Sequence, residues 1–248
     1  MKTASAVALF LIALPNQGAA QDTAPPPLST DRPNFTGSVT TLPRGQVQVE
    51  AGYTFTDDVG VNLHTFGEVW LRVGLADYVE LLVGLNSFAW TDGPNATSGF
   101  EDAAVGVKVE LPVRAVNAAL SLVTSVPTGK VGENKAQPEM RLTLARELGS
   151  GASLASNLNI GWLVQGGERF ARFAGSFTAG FSMTPRLGAY VEYYILVPAG
   201  LRADDAGFAN AGVTFLVSSD LQLDARLGGG VHGPTPNLFF GVGLAVRR

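Results

Sequence analysis

The chain of 248 residues contains no cysteine. Disulfide bridges, thiolate metal sites and cysteine nucleophiles are excluded together. Charge is also scarce: Asp, Glu, Lys and Arg make up 15% of the residues, against about 25% in typical soluble domains. Histidine occurs only at His64 and His232. A Ser–His–acid hydrolase would have to use one of them, and no nucleophile or orienting partner can be assigned to either. Neither lies in an HxH or HExxH frame, which argues against zinc. The glycine clusters Gly166-Gly167 and Gly228-Gly229-Gly230 lack the spacing of nucleotide-binding loops. No enzymatic activity, metal or cofactor is expected.

Long apolar runs are missing as well. Ala4–Leu14 is apolar but too short for a spanning helix, which needs about twenty residues. With Lys2 before it, Pro15 after it and the small residues Gly18 and Ala20 beyond, residues 1–20 read as a secretory signal. The alternative is a retained anchor. Removal at Gln21 would leave 16 basic against 21 acidic residues, a balance with no nucleic-acid footprint. An exported, cysteine-free chain with positive mean hydropathy and no spanning helix must place its apolar surface either in a soluble core or on a lipid-facing barrel wall.

What is present decides between these. After Pro25-Pro26-Pro27, segments of about ten residues alternate apolar and polar, the period of a two-faced strand. Twelve can be placed, at about 46–56, 64–75, 79–91, 100–111, 115–126, 138–147, 153–165, 170–183, 187–197, 208–217, 221–228 and 237–247. Each is close to the 9–11 residues with which a tilted strand crosses a bilayer. One face reads Val47, Val49, Ala51, Tyr53, Phe55 on the first strand and Phe240, Val242, Leu244, Val246 on the last. That face carries no charge on any strand, as hydrocarbon requires: one Lys or Arg at mid-bilayer costs about 2–4 kcal/mol. Short turns at 76–78, 112–114, 148–151, 184–186 and 218–220 alternate with longer loops at 92–99, 127–137, 198–207 and 229–236, the asymmetry of bacterial barrels. The connections near 58–61 and 166–169 are shorter than the rest of their class. The expected fold is all-β: a transmembrane antiparallel up-and-down barrel of about twelve strands over 45–248. Residues 21–44 precede it as a periplasmic leader that either plugs the lumen or caps its periplasmic end.

The opposite face supplies the candidate lumen residues: Glu50, Glu68, Trp70, Arg72, Asp102, Lys108, Arg141, Arg172, Glu192, Asp224 and Arg226, with Glu110 beside them. They either pair across strands as structural ion pairs, or Glu68, Arg72, Lys108 and Arg226 narrow the lumen and orient a passing molecule. Phe88 and Trp90 fall on the same nominally inward face as Trp70. They form an aromatic track, pack as filler, or mark a local slip of register, since one bulge inverts the parity. His64 is placed on the polar face near the loop end, and His232 at a loop tip.

Some stretches resemble a known group. Ser29-Thr30-Asp31-Arg32-Pro33-Asn34-Phe35-Thr36 and Gly45-Gln46-Val47-Gln48-Val49-Glu50-Ala51-Gly52-Tyr53 are similar to the opening of the bacterial outer-membrane MetA-pathway of phenol degradation family. Glu68–Leu75, Asp77–Leu81, Gly99–Asp102 with Gly106 and Lys108, Val126–Gly129 and Asp220–Asp224 resemble its later strands. Two features depart from it: Asn34 stands where Asp is common, and the chain ends Val246-Arg247-Arg248 without a terminal aromatic.

The resemblance implies a barrel in the outer membrane of a Gram-negative bacterium that passes small aromatic or otherwise hydrophobic solutes. Passage would be by passive diffusion. Asp31, Arg32, Pro33 and Phe35 then form the leader's motif. Membrane lipid and lipopolysaccharide, the outer-membrane assembly machinery and the solute are the expected partners of a monomer. The alternative from another class is a non-transporting barrel with a filled lumen and a structural or surface-interaction role. A barrel enzyme acting on lipid is a third.

Overall fold

The computed structural model describes residues 28–93, 95–200 and 204–248. The expected signal sequence at 1–20 and the start of the leader lie outside them. Fourteen strands follow one another: β1 Val47–Asp58, β2 Val61–Ala76, β3 Val79–Gly84, β4 Phe88–Asp92, β5 Ser98–Phe100, β6 Ala103–Leu111, β7 Asn117–Val126, β8 Pro138–Gly149, β9 Ala152–Gln165, β10 Glu168–Ser182, β11 Leu187–Ala199, β12 Ala206–Ser218, β13 Leu221–His232 and β14 Leu238–Arg247. Pairing is antiparallel throughout. β1 bonds β2 on one side and β14 on the other, which closes the sheet. Closure removes the unpaired edge amides that hydrocarbon cannot solvate.

β3 and β4 are two halves of one span, and β5 and β6 of the next. β2 pairs first with β4 and then with β3, while β4 meets β5 and β3 meets β6. The chain is thus the twelve-span barrel its periodicity predicts, with the spans at 79–91 and 100–111 each interrupted once.

Burial is inverted relative to a water-soluble protein. The largest fully buried side chains are Arg72, Gln48, Glu50, Glu80, Asn157, Thr36 and Thr143, none of them apolar, whereas Leu158, Phe177, Val191 and Leu227 are each more than half exposed. A sandwich would bury the second set. The uncharged alternate residues therefore form the outer wall, and the polar ones line the interior.

Parity fails at one height, and two placements change. In the β1–β2 pairing, Glu50 faces Trp70 but Gly52 faces Gly67, so β2 carries one extra residue. Gly67 and Glu68 absorb it with φ of 103° and 41°, the left-handed region where a side chain is costly and glycine is not. Beyond this bulge the faces swap. His64 is paired with Phe55 and Trp90, and Phe66 with Phe88, so His64, Phe88 and Trp90 all stand on the outer wall. His64 is not on the polar face, and of the three expected inward aromatics only Trp70 faces the lumen. Outside, His64 stacks on Trp90 with centroids 4.6 Å apart, accepts or donates a 2.7 Å bond with Tyr53 Oη, and bonds Asp92 at 3.0 Å.

A charge placed mid-wall tests this assignment. Val191→Arg should lower stability by about 2–4 kcal/mol in urea titrations of the lipid-inserted barrel. The same substitution at Ser125, which lines the lumen cavity, should cost clearly less.

Candidate functional site: a lumen closed by the N-terminal segment

Residues 28–44 fold into the barrel and bond to its wall. Their main-chain N–H groups belong to no strand, and buried amides must find acceptors. The wall supplies them as carboxylates, placed inward by strand parity. Glu50 on β1 accepts from Asp31 N and Arg32 N at 3.1 Å. Glu192 on β11 accepts from Phe35 N and Thr36 N, both at 2.8 Å, and from Thr36 Oγ1 at 2.7 Å. Leu42 N donates to Glu80 at 2.8 Å and Thr41 N to Glu110 at 3.3 Å. Hydrogen bonds to charged groups contribute about 1.5–3 kcal/mol each, so this segment is a plug held at many points.

Side chains complete the anchoring. Arg72 is almost wholly buried; its Nε and Nη2 donate to Glu80 at 2.8 and 2.9 Å, its Nη1 to Glu50 at 2.9 Å, and its remaining N–H groups to the carbonyls of Ser29 and Thr40 at 2.9 and 3.1 Å. Lys108 Nζ donates to both oxygens of Asp31 at 2.8 and 2.7 Å. Burial alone would raise the Asp31 carboxyl. The facing charges of Lys108 and Arg72, with bonds from Lys108 and Ser38 N, outweigh it and hold the group below its ordinary 3.8.

Arg32 reaches the far side, donating to Glu68 at 2.7 Å and lying 3.5 Å from Asp224. Its guanidinium occupies the space that side chains at Gly52 and Gly243 would fill: a Cβ on either would come within 2.3 and 2.5 Å of it. Arg226 donates to the Pro33 carbonyl at 2.9 Å and to Thr54 Oγ1 at 3.0 Å. The Phe35 ring lies face-on against Tyr194, centroids 4.4 Å apart, and Tyr194 stacks on Phe208 at 4.7 Å.

Above the plug a cavity of about 680 Å³ remains, floored by Asp31–Phe35 and walled by Glu68, Trp70, Glu101, Ser121, Glu139, Arg141 and Arg226, among others. Glu139 bridges Arg141 and Arg172 at 3.3 and 3.4 Å on one side of it. Glu68 and Glu101 stand on the other.

The sequence-predicted residues thus divide. Lys108, Glu192 and Asp224 anchor or face the plug; Glu50, Glu68, Arg72 and Arg226 both bond the plug and line the cavity; Trp70 and Arg141 belong to the cavity wall, and Arg172 pairs with its Glu139. Asp102 does not join them. It sits at the β5–β6 interruption, where Oδ1 accepts from Thr128 N and Gly129 N at 3.1 and 2.9 Å and holds the 127–137 loop. Glu80, Tyr194 and Phe208 escaped notice. Glu80 alternates with Val79 and Leu81 and was readable by parity; the two rings are aromatics on an otherwise polar face. The described part of the leader, residues 28–44, bonds inward-facing groups of the wall.

Fold and lumen together define a closed β-barrel of the bacterial outer-membrane type with its own N-terminal segment inside. Residues 30–247 match a single family model, and the chain belongs to that family, provisionally described as the MetA-pathway of phenol degradation. No curated protein matches it in sequence. Among solved structures, an outer-membrane channel from Pseudomonas putida F1 aligns with TM-score 0.62 at 15% identity, covering 87% of this chain and all of that one. The NanC porin aligns with TM-score 0.57 at 8% identity, covering 81% and 98%, and the KdgM porin with 0.55 at 9%, covering 80% and 98%. At these identities the likeness is one of fold.

Two outcomes follow for the anchoring. Arg72→Ala should cost about 3–5 kcal/mol, because it leaves buried Glu50 without its counter-charge and Glu80 with only Lys108 at 3.5 Å; adding Glu80→Ala should recover part of the loss in a urea double-mutant cycle. The Asp31 shift is downward, so its contribution is complete above its unfolded value and lost only as the pH falls through the lower folded one. Pepsin access to residues 28–44 should therefore rise only below about pH 4, and Asp31→Asn should loosen the segment already at neutral pH.

Proposed function

We propose that the chain is an outer-membrane channel for small aromatic or otherwise hydrophobic molecules, crossed by passive diffusion, with residues 28–44 as its constriction. The observation that carries this reading is the lumen cavity. At about 680 Å³ it has the size of small-molecule sites in general, and its walls mix charge of both signs with the Trp70 ring. Family membership supports an aromatic cargo, and the likeness to channel and porin folds supports a passage. The apolar outer wall supports residence in an outer membrane. There the barrel would stand as a monomer among lipid and lipopolysaccharide, delivered by the assembly machinery. No enzymatic role is assigned to it.

One observation favours a second reading. The plug is bonded to four wall carboxylates through its main chain and to two more through Arg32, as a permanently filled barrel with a structural role would be. Proteoliposomes separate the two. Under the channel reading, 4-hydroxybenzoate, an aromatic anion that a bare bilayer retains, enters vesicles holding the wild-type barrel faster than empty ones. Glu68→Ala, which releases Arg32 from one of its two carboxylate partners, then raises the rate several-fold. Entry equal to that of empty vesicles for both proteins would establish the filled barrel instead.

A further inference from the structure

The plug ends of the Phe35–Thr36 dipeptide meet the wall as a ligand would. The aromatic face of Tyr194 is backed by Phe208 and covered by the Phe35 ring at an interplanar angle of 9°. Beside it, Glu192 keeps two donors of its own from the wall, Thr178 Oγ1 at 2.9 Å and Asn210 Nδ2 at 2.7 Å. Its other three come from Phe35 N, Thr36 N and Thr36 Oγ1. Asn157 Nδ2 donates to the Phe35 carbonyl at 3.2 Å. A single ring is therefore stacked on a tyrosine while N–H and O–H donors enter an adjacent buried carboxylate.

We propose that Tyr194, Phe208 and Glu192 form a wall subsite for a small aromatic ring that bears a hydroxyl or amine donor, and that Phe35 and Thr36 occupy it as an internal stand-in. This deepens the channel reading and rests on it: cargo in the cavity reaches Phe35, which lines the floor, and passes by exchanging with it. The donor requirement follows from Glu192. When the dipeptide leaves, a buried carboxylate loses three of its five hydrogen bonds, and a ring without a donor leaves it with only Thr178 and Asn210. Sites built to bond a hydroxyl discriminate strongly against the analogue that lacks one. The stand-in also sets the apparent affinity, since a solute sees only the fraction of sites from which the plug is absent.

The distinctive expectation is that weakening the plug strengthens binding. Isothermal titration of the full-length barrel in detergent, with phenol and benzyl alcohol as ligands and toluene as control, reads it directly. At least one hydroxylated ring should bind Phe35→Ala and Phe35→Leu about tenfold more tightly than the wild type, with toluene at least about tenfold weaker. Tyr194→Leu should abolish the binding and Tyr194→Phe, which keeps the ring face, should preserve it. Glu192→Gln should collapse the preference for the hydroxylated ring. Folding of each variant is checked by heat-modifiable gel migration. Unchanged or weaker binding in both folded Phe35 variants, or toluene binding as tightly as the hydroxylated rings, would overturn the proposal. Binding in detergent does not depend on flux. Binding intact without passage into vesicles would instead sink the channel reading and leave the subsite standing.

Discussion

Main-chain amides of the N-terminal segment bonded to carboxylates of the barrel wall are the interaction on which the rest of this structure depends. A barrel of twelve spans encloses more space than its inward side chains alone must fill, and an interior of buried Glu, Arg and Lys is costly unless each charge finds a partner. The segment 28–44 resolves both problems. Its N–H groups occupy Glu50, Glu80, Glu110 and Glu192, its carbonyls take the spare donors of Arg72 and Arg226, and its own Asp31 and Arg32 neutralise Lys108 and the Glu68–Asp224 side. Plug and wall are one electrostatic unit.

That unit explains why the polar face contains so many glycines at particular places. Gly52 and Gly243 let Arg32 lie against the backbone of β1 and β14, and Gly74 lets the carbonyls of Leu42 and Pro43 approach β2 so closely that a Cβ would overlap them. Arg247 faces inward on β14 and binds Asp220 at 2.9 Å and the Ser219 carbonyl at 3.2 Å, tying the last strand to the neighbouring turn.

The sequence made the barrel legible because strand parity is a period-two signal repeated over twelve segments, and each repeat is independent evidence. Glu50, Arg72, Lys108 and Glu192 were readable for the same reason. The bulge at Gly67–Glu68 could not be placed, since an inserted residue has no composition of its own; it misplaced His64, while for Phe88 and Trp90 a slip of register was one of the readings left open. Asp102 looked like its alternating neighbours, but the interruption between β5 and β6 took it out of the ladder. The plug could not be told from a cap because its partners are spread over β1, β2, β3, β6, β9, β10, β11, β13 and β14, a set that only the closed barrel brings together.

The span of those contacts sets the order in which the molecule can be made. Pro33 and Arg226 are 193 residues apart in the chain, and Arg32 and Asp224 are 192. The segment that emerges first cannot find its last anchors until β13 is in place. Until then the inward carboxylates and guanidinium groups lack the partners that the segment supplies in the finished barrel, and water must solvate them.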